Sequence, residues 1–114
     1  MNQEIIILRD IREPDDWRNL QVRFDDNGDL LIEGHDMGAS VETFFGEGSN
    51  EYEWVTTVKA KDVRALNVAL GGKRGDDTLE LIRNKCTGEN AIDLEQLIKK
   101  KDIPKKFWSW NSDS

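Results

Sequence analysis

Positive charge is missing from a long stretch of this chain. Between Phe24 and Val58 there is no lysine or arginine, and no lysine precedes Lys59. Residues 1–58 carry 14 acidic residues and 4 arginines, whereas residues 59–114 carry 9 acidic and 12 basic residues. A surface this acidic repels nucleic acid, because the phosphates are also negative. The segregation therefore predicts a negative half whose field attracts a basic partner.

Cysteine and histidine each occur once. The single Cys86 excludes an intramolecular disulfide and indicates a reducing compartment. It falls on the inward face of a predicted helix, where a structural thiol is favoured over a nucleophile. His35 and Asp36 are adjacent, and adjacent residues on a strand point to opposite faces, so they do not predict a catalytic dyad. We expect no enzyme, no catalytic residue, no cofactor and no bound metal, since one histidine and one cysteine cannot form a zinc site of the usual Cys/His kind.

Long hydrophobic runs are absent as well. The N-terminal run Ile5–Leu8 is far shorter than the roughly 18–20 apolar residues of a membrane span, and it lacks the basic flank of a signal peptide. The 114 residues match one domain, 1–114, which can bury a core without metals or disulfides. The net charge of −7 favours a monomer. We expect a cytoplasmic protein that does not contact the membrane.

Strand patterns dominate the first half of the chain. The run Ile5–Leu8 is β-branched, which favours a buried strand over a helix at this length. The other apolar or alternating segments are Gln21–Phe24, Leu30–Glu33, Val41–Phe45 and Tyr52–Lys59. Strands followed by helices indicate an α+β fold. We predict an N-terminal antiparallel sheet of about four strands packed against about three C-terminal helices.

The segment Asp25–Asp29 predicts a hairpin turn. A two-residue Asn27-Gly28 loop would place Val22 opposite a glutamate. A type I turn followed by Gly28 in the left-handed conformation, with a bulge, instead places Phe24 opposite Leu30 and apolar residues opposite each other. The bulged turn is therefore predicted. The segment superficially resembles a calcium loop, but its glycine is not at the sixth position, so a turn is the better interpretation.

Helical periodicity follows. The first helix contains Val63, Leu66 and Leu70 and ends at Gly71. The second is capped by Asp76 or Asp77 and turns Leu79, Ile82 and Cys86 inward. The third is capped by Asn90, turns Leu94, Leu97 and Ile98 inward, and ends before Pro104. The predicted core includes residues of the sheet and the helices: Val22, Phe24, Leu30, Ile32, Trp54, Leu66 and Leu97.

Two glycine-rich or aromatic segments have competing interpretations. Gly71–Gly75 lacks the hydroxyl residue and the position of a phosphate-binding loop, so an interhelical loop is predicted. Phe107-Trp108-Ser109-Trp110 is either an exposed docking patch or a clamp that holds the terminus over the core. The clamp is favoured, because a terminus must be tied down to stay ordered.

The base-free stretch is the predicted partner-binding surface. Tyr52 and Trp54 alternate with Glu51 and Glu53, and aromatic residues of this kind are enriched at interaction hot spots. Mixed charges are the rule on ordinary surfaces, so a stretch without compensating bases is unusual. The predicted partner-binding residues are Asp25, Asp26, Asp29, Glu33, Asp36, Glu47, Glu51, Tyr52 and Glu53.

In size, single-domain character, acidic face and lack of a catalytic motif, the chain resembles the small acidic immunity proteins that bacteria encode beside polymorphic or contact-dependent toxins. The segments Glu51–Trp54 and Phe107-Trp108 contribute to this resemblance. It implies a cytoplasmic inhibitor that binds the C-terminal domain of a cognate toxin, often a basic nuclease, and blocks its active site or substrate path. An acidic adaptor or regulatory domain that binds another basic protein is the alternative, and a small hydrolase is the third.

Overall fold

Five antiparallel strands form one sheet in the computed structural model, which describes residues 4–112. Each strand pairs with the next in the chain, so the order is β1-β2-β3-β4-β5 and the edges are β1 and β5. The strands are β1 (Ile6–Glu13), β2 (Asp16–Phe24), β3 (Leu30–Gly38), β4 (Glu51–Val58) and β5 (Lys106–Asn111). Four helices complete the fold: α1 (Ala39–Phe45), α2 (Val63–Ala69), α3 (Thr78–Cys86) and α4 (Leu94–Lys100). A 3₁₀ turn, Ala60–Asp62, leads into α2.

The predicted bulged turn between β2 and β3 is confirmed. Phe24 pairs with Leu30 and Val22 with Ile32, and Gly28 has a φ of 80°. The carboxylate of Asp25 accepts hydrogen bonds from the backbone N–H groups of Asn27 and Asp29, at 2.8 and 3.0 Å. These bonds hold the turn in the conformation that keeps apolar side chains opposite each other.

Replacing Gly28 with valine should lower the free energy of unfolding by about 1–3 kcal/mol, because a β-branched residue is strained at positive φ. Space is not the reason, since a Cβ at Gly28 would lie 3.6 Å from the Cβ of Ala60, an ordinary contact. Gly75→Val is the matched control, because Gly75 lies in open space without a positive φ. Urea unfolding of both variants measures the difference. Equal stabilities would contradict the role of the left-handed glycine.

The helices bury one face of the sheet. The α+β class is confirmed, and five of the seven predicted core residues are buried, while Phe24 and Leu97 pack against the core with partial exposure. The second predicted helix is α3, in which the side chain of Asp77 caps the backbone N–H of Glu80 and the predicted inward residues are buried. Gly71 follows the end of α2 with a φ of 87°, as predicted.

Three sequence-based predictions about elements are wrong. Val41–Phe45 is not a strand but most of α1, with only Val41 buried. The third predicted helix is α4, capped by Asp93 rather than by Asn90, which has a φ of 60° in the preceding loop. Phe107–Trp110 does not clamp the core; it belongs to β5, an additional edge strand whose aromatic side chains are exposed. Within residues 4–112 the sheet therefore has five strands and the fold four helices.

Side chains alternate along each strand, so the sheet has two faces. The helices cover one of them and leave the other uncovered. Leu30, Ile32 and Gly34 of β3 are buried on the covered side, whereas Leu31, Glu33, His35 and Met37 alternate with them and are not. We call the uncovered side the open face. Its residues on the neighbouring strands are Trp17, Asn19, Gln21 and Arg23 of β2, Glu51, Glu53, Val55 and Thr57 of β4, and Lys106, Trp108 and Trp110 of β5. None of these residues is buried, so no element within residues 4–112 packs on this face.

None of the helices within the described residues is long and apolar enough to cross a membrane.

Candidate functional site

The nine predicted partner-binding residues do not share one surface. Asp25, Asp26 and Asp29 lie in the β2–β3 turn, and Glu47 lies in the loop between α1 and β4. Asp36 and Tyr52 pair with each other and alternate along their strands with open-face residues, so both point to the helix-covered side of the sheet. Three residues remain on the open face: Glu33, Glu51 and Glu53. The base-free stretch of sequence is thus divided among several places in the fold.

The acids of this stretch also have basic partners from outside it. Arg23 Nε and Nη2 donate to the two carboxylate oxygens of Glu33 at 2.8 and 3.2 Å. Lys59 Nζ donates to Asp29 at 3.3 Å, and Arg18 Nε lies 3.8 Å from Asp36. The expected lack of compensating charge is therefore wrong for these three acids. Strand pairing brings arginines of β2 beside the two acids of β3, and Lys59, directly after β4, reaches Asp29 in the β2–β3 turn.

Asp29 is a structural residue. Its carboxylate accepts a 2.8 Å hydrogen bond from the backbone N–H of Ala60, and the residue is buried. This bond, followed by that of Lys59, holds the pKa of Asp29 below its usual range. The carboxylate joins the β2–β3 turn to the 3₁₀ turn that leads into α2. We therefore exclude Asp29 from the candidate surface.

The open face carries exposed aromatic side chains at the β5 edge. Trp108 is 54% exposed and Trp110 is 39% exposed. In the register of β4 and β5, Trp110 pairs with Glu53 and Trp108 with Val55. The acidic residues and the aromatic segment, which the sequence presents as separate candidates, are therefore neighbours on the same side of the sheet.

Apolar exposure extends across the open face. Met37 at the end of β3 and Ile7 of β1 are exposed, and Trp17 is partly so. Scattered apolar residues on a surface need no explanation, but residues gathered on one uncovered sheet face form a patch of the kind that binds a partner.

His35 lies between Trp17 and Trp110 on the open face, in contact with two glutamates. Its Nε2 is 2.6 Å from Glu51 Oε2 and 3.5 Å from Glu53 Oε1. The indole of Trp17 packs edge-on against the imidazole, with centroids 5.0 Å apart and planes at 82°. Proximity in the sequence suggests only Asp36 as a partner for His35. The register of β3 and β4, which pairs His35 with Glu53, would have identified the glutamates.

A groove on the other side of the sheet is the second candidate site. A cavity of about 310 Å³ lies beside α1, and Tyr52 and Trp54 form its floor with stacked rings 5.2 Å apart. Trp54 can lie flat because Gly34 is opposite it; a Cβ at Gly34 would lie 2.1 Å from the indole. Arg18 and Asp36 supply polar atoms to the cavity wall, and burial raises the pKa of Asp36 despite the neighbouring arginines.

Glu95 of α4 lines an adjacent cavity, which shares Tyr52 and Trp54 with this groove. Its carboxylate accepts hydrogen bonds from Trp54 Nε1 at 3.2 Å and from the hydroxyl of Thr56 at 3.3 Å. Burial nevertheless raises the pKa of Glu95, because loss of solvent outweighs these two donors.

Glu95→Gln should increase the free energy of unfolding at pH 7. The raised pKa means that the folded protein favours the neutral acid, so the contribution of this group is lost as pH rises through the folded pKa. Glutamine keeps an oxygen for Trp54 and carries no charge. The gain should shrink as the pH falls through the ordinary range of glutamate, about 4.3. Thermal melts of Glu95→Gln and of Glu89→Gln, an exposed control, across pH 4–7 measure this; a pH-independent difference would contradict it.

Cys86 is buried in α3, as the sequence predicts. Burial raises the pKa of its thiol to about 11. The thiol is therefore protonated at neutral pH, which agrees with a structural role rather than a nucleophilic one.

Comparison with known proteins adds no relative. The sequence matches no protein-family model, and neither a curated protein nor a solved structure shows significant similarity to it. The proposals below therefore depend on the geometry and charge of the chain itself.

Proposed function

We propose that this chain is a protein-binding domain that acts as a cytoplasmic immunity protein, and that it neutralises the C-terminal domain of a cognate toxin by docking it on the open face. The observation that carries the proposal is the placement of Trp108 and Trp110 beside Glu53 on a sheet face that no element of residues 4–112 covers. The partner surface that fits this arrangement has apolar pockets for two indoles and a basic rim. A nuclease is one such partner, because it presents positive charge where it binds phosphates.

The aromatic residues supply the affinity in this proposal. Tryptophan is among the residues most enriched at interaction hot spots, because a large rigid ring buries much apolar area with little loss of conformational entropy. Trp108 and Trp110 alternate on β5 and therefore project to the same side. Their strand is an edge, which a partner can approach from the side as well as from above.

The acidic residues supply the speed of association. The carboxylates of Glu51 and Glu53 form no ion pair with lysine or arginine within the described part of the chain; their ion-pair contacts are with His35. The net charge of −7 adds a long-range field. Complementary charge raises association rates above the unsteered range of about 10⁵–10⁶ M⁻¹s⁻¹, which suits an inhibitor that must intercept a toxin.

A survival assay tests the function. A gene for a large toxin should lie immediately upstream of the gene for this chain, and cells that express the toxin's C-terminal domain should survive only when this chain is co-expressed. A chain with Trp108→Ala and Trp110→Ala should fail to protect at equal expression. Absence of such a toxin gene, or death of cells that express both proteins, would contradict the immunity function. The alternative, an acidic adaptor, predicts binding to another basic protein without protection.

The charge contribution is tested with Glu51→Gln/Glu53→Gln. This variant should associate with the toxin domain more slowly, and its rate should depend less on salt, because two steering charges are lost. Asp26 lies in the β2–β3 turn and Glu47 in the loop between α1 and β4, so Asp26→Asn combined with Glu47→Gln provides a control of equal net charge. Stopped-flow measurement of the association rate at two salt concentrations compares the two double variants. Equal slowing in both variants would show that total charge matters and the position of Glu51 and Glu53 does not.

A further inference from the structure

The geometry points to a transition-metal site on the open face, formed by His35, Glu51 and Glu53, and we propose that it binds zinc. One imidazole nitrogen and two carboxylate oxygens lie within 4.8 Å of one another. Imidazole and carboxylate are both ordinary zinc ligands, and three protein ligands with an open fourth position are typical of zinc sites that face solvent or substrate.

The two distances from His35 require little movement, and the carboxylate oxygens of Glu51 and Glu53, which lie within 4.8 Å of each other, must approach by at most about 1.5 Å. Zinc binds nitrogen and oxygen at about 2.0–2.2 Å, which separates the ligands of a tetrahedral ion by roughly 3.3–3.5 Å. His35 Nε2 is already 3.5 Å from Glu53 Oε1. Its 2.6 Å contact with Glu51 Oε2 must lengthen by less than about 1 Å. Both glutamates are on β4 and His35 is on β3, so paired strands hold the three Cα positions.

The charges also favour a cation. Two carboxylates face one imidazole, so the cluster retains negative charge whether or not His35 is protonated. On the same face Glu33 already forms a bidentate ion pair with Arg23. Glu51 and Glu53 have no lysine or arginine partner among residues 4–112, so a dication would meet charge that the chain itself leaves uncompensated.

The ligand set selects the class of metal. Magnesium and calcium prefer shells made of oxygen, and calcium takes six to eight oxygen ligands. A cluster with an imidazole suits zinc, copper or nickel. Trp17 packs against His35 and limits rotation of the imidazole, which keeps Nε2 directed at the glutamates. Cys86 does not compete, because it is buried with a protonated thiol.

Zinc titration of the free chain tests the site, using protein without a histidine tag. Calorimetry should show one zinc per chain and no response to magnesium. His35 is the single histidine, so its imidazole signals in a ¹⁵N-labelled sample report the site directly and should shift on zinc addition. Binding should weaken as pH falls, because the ligands must be deprotonated.

Variants separate the site from adventitious binding. His35→Gln and Glu51→Gln/Glu53→Gln should each weaken zinc binding by at least about tenfold. Glu33→Gln, a neutralisation on the same face outside the cluster, should retain the affinity within a factor of about three. Thermal melts without zinc show that each variant is folded. Lack of zinc binding at millimolar concentration, or equal affinity of the His35→Gln variant, would overturn the site. Because toxin is absent from this experiment, its result is independent of the immunity function.

Discussion

Ile32→Ala should lower the free energy of unfolding by about 2–5 kcal/mol, the cost of deleting a large buried side chain and leaving a cavity. Ile32 lies on the covered side of the central strand β3 and has no exposed surface. It pairs with Val22 on one side and with Thr56 on the other, both also buried. Strands on both sides and helices above leave the site little freedom to collapse.

Ile7→Ala is the control for this prediction. Ile7 is the same residue type on β1, but it lies on the open face and is 48% exposed. Its truncation should cost less than about 1 kcal/mol, since half of its surface already contacts water. Chemical unfolding of both variants compares the two faces. A cost at Ile7 equal to that at Ile32 would mean that the open face is covered, and the docking proposal would fail with it.

Trp108→Ala/Trp110→Ala should weaken binding of the toxin domain by at least about 30-fold, the effect of losing a hot spot of 2 kcal/mol or more. The indoles are exposed in the free chain, so the fold does not need their burial. Stability should change little, because exposed cross-strand pairs contribute only about 0.2–1 kcal/mol each. The loss should appear mainly as faster dissociation, as expected for central anchors.

Phe44→Ala is the matched control for the tryptophans. Phe44 is 81% exposed on α1 and borders the groove on the covered side of the sheet. Its truncation removes an even more exposed ring from the opposite side of the sheet. Affinity for the toxin domain should stay within a factor of about three. If Phe44→Ala greatly lowered the affinity and the tryptophan double variant did not, the interface would be the groove rather than the open face.

Local chemistry was sufficient to predict the β2–β3 hairpin and α3. At the hairpin, only one turn type places apolar residues opposite each other, and Gly28 is the residue that this turn requires. At α3, the cap Asp77 and an apolar face at helical spacing agree. In both cases the interactions that determine the structure lie within a short segment, so the local sequence is sufficient to predict it.

Two of the errors occurred where a local pattern does not decide the structure. Val41–Phe45 is apolar and short, a pattern that fits a strand or a helix; here it forms α1 against β3 and β4. Strand β5 has no buried side, so its aromatic residues lack the pattern of burial that identifies a strand. Its pairing with β4 joins residues 49 to 59 positions apart.

The candidate surface was predicted only in part for the same reason. Acidic composition identified Glu51 and Glu53, and the aromatic segment identified Trp108 and Trp110. Their adjacency depends on the β4–β5 register, which no local rule specifies. The same applies to His35, whose glutamate partners come from the next strand rather than from the neighbouring Asp36. Asp29 was predicted to bind a partner, but its carboxylate instead accepts hydrogen bonds from Ala60 and Lys59 within the fold.

The indole N–H signals of the four tryptophans test the docking surface within a single spectrum. Trp108 and Trp110 lie on the open face, whereas Trp54 lies on the covered side and donates to Glu95. When unlabelled toxin domain is added to the ¹⁵N-labelled chain, the signals of Trp108 and Trp110 should shift or broaden, and that of Trp54 should remain in place. A shift of Trp54 with unchanged signals from Trp108 and Trp110 would contradict the open face as the docking surface.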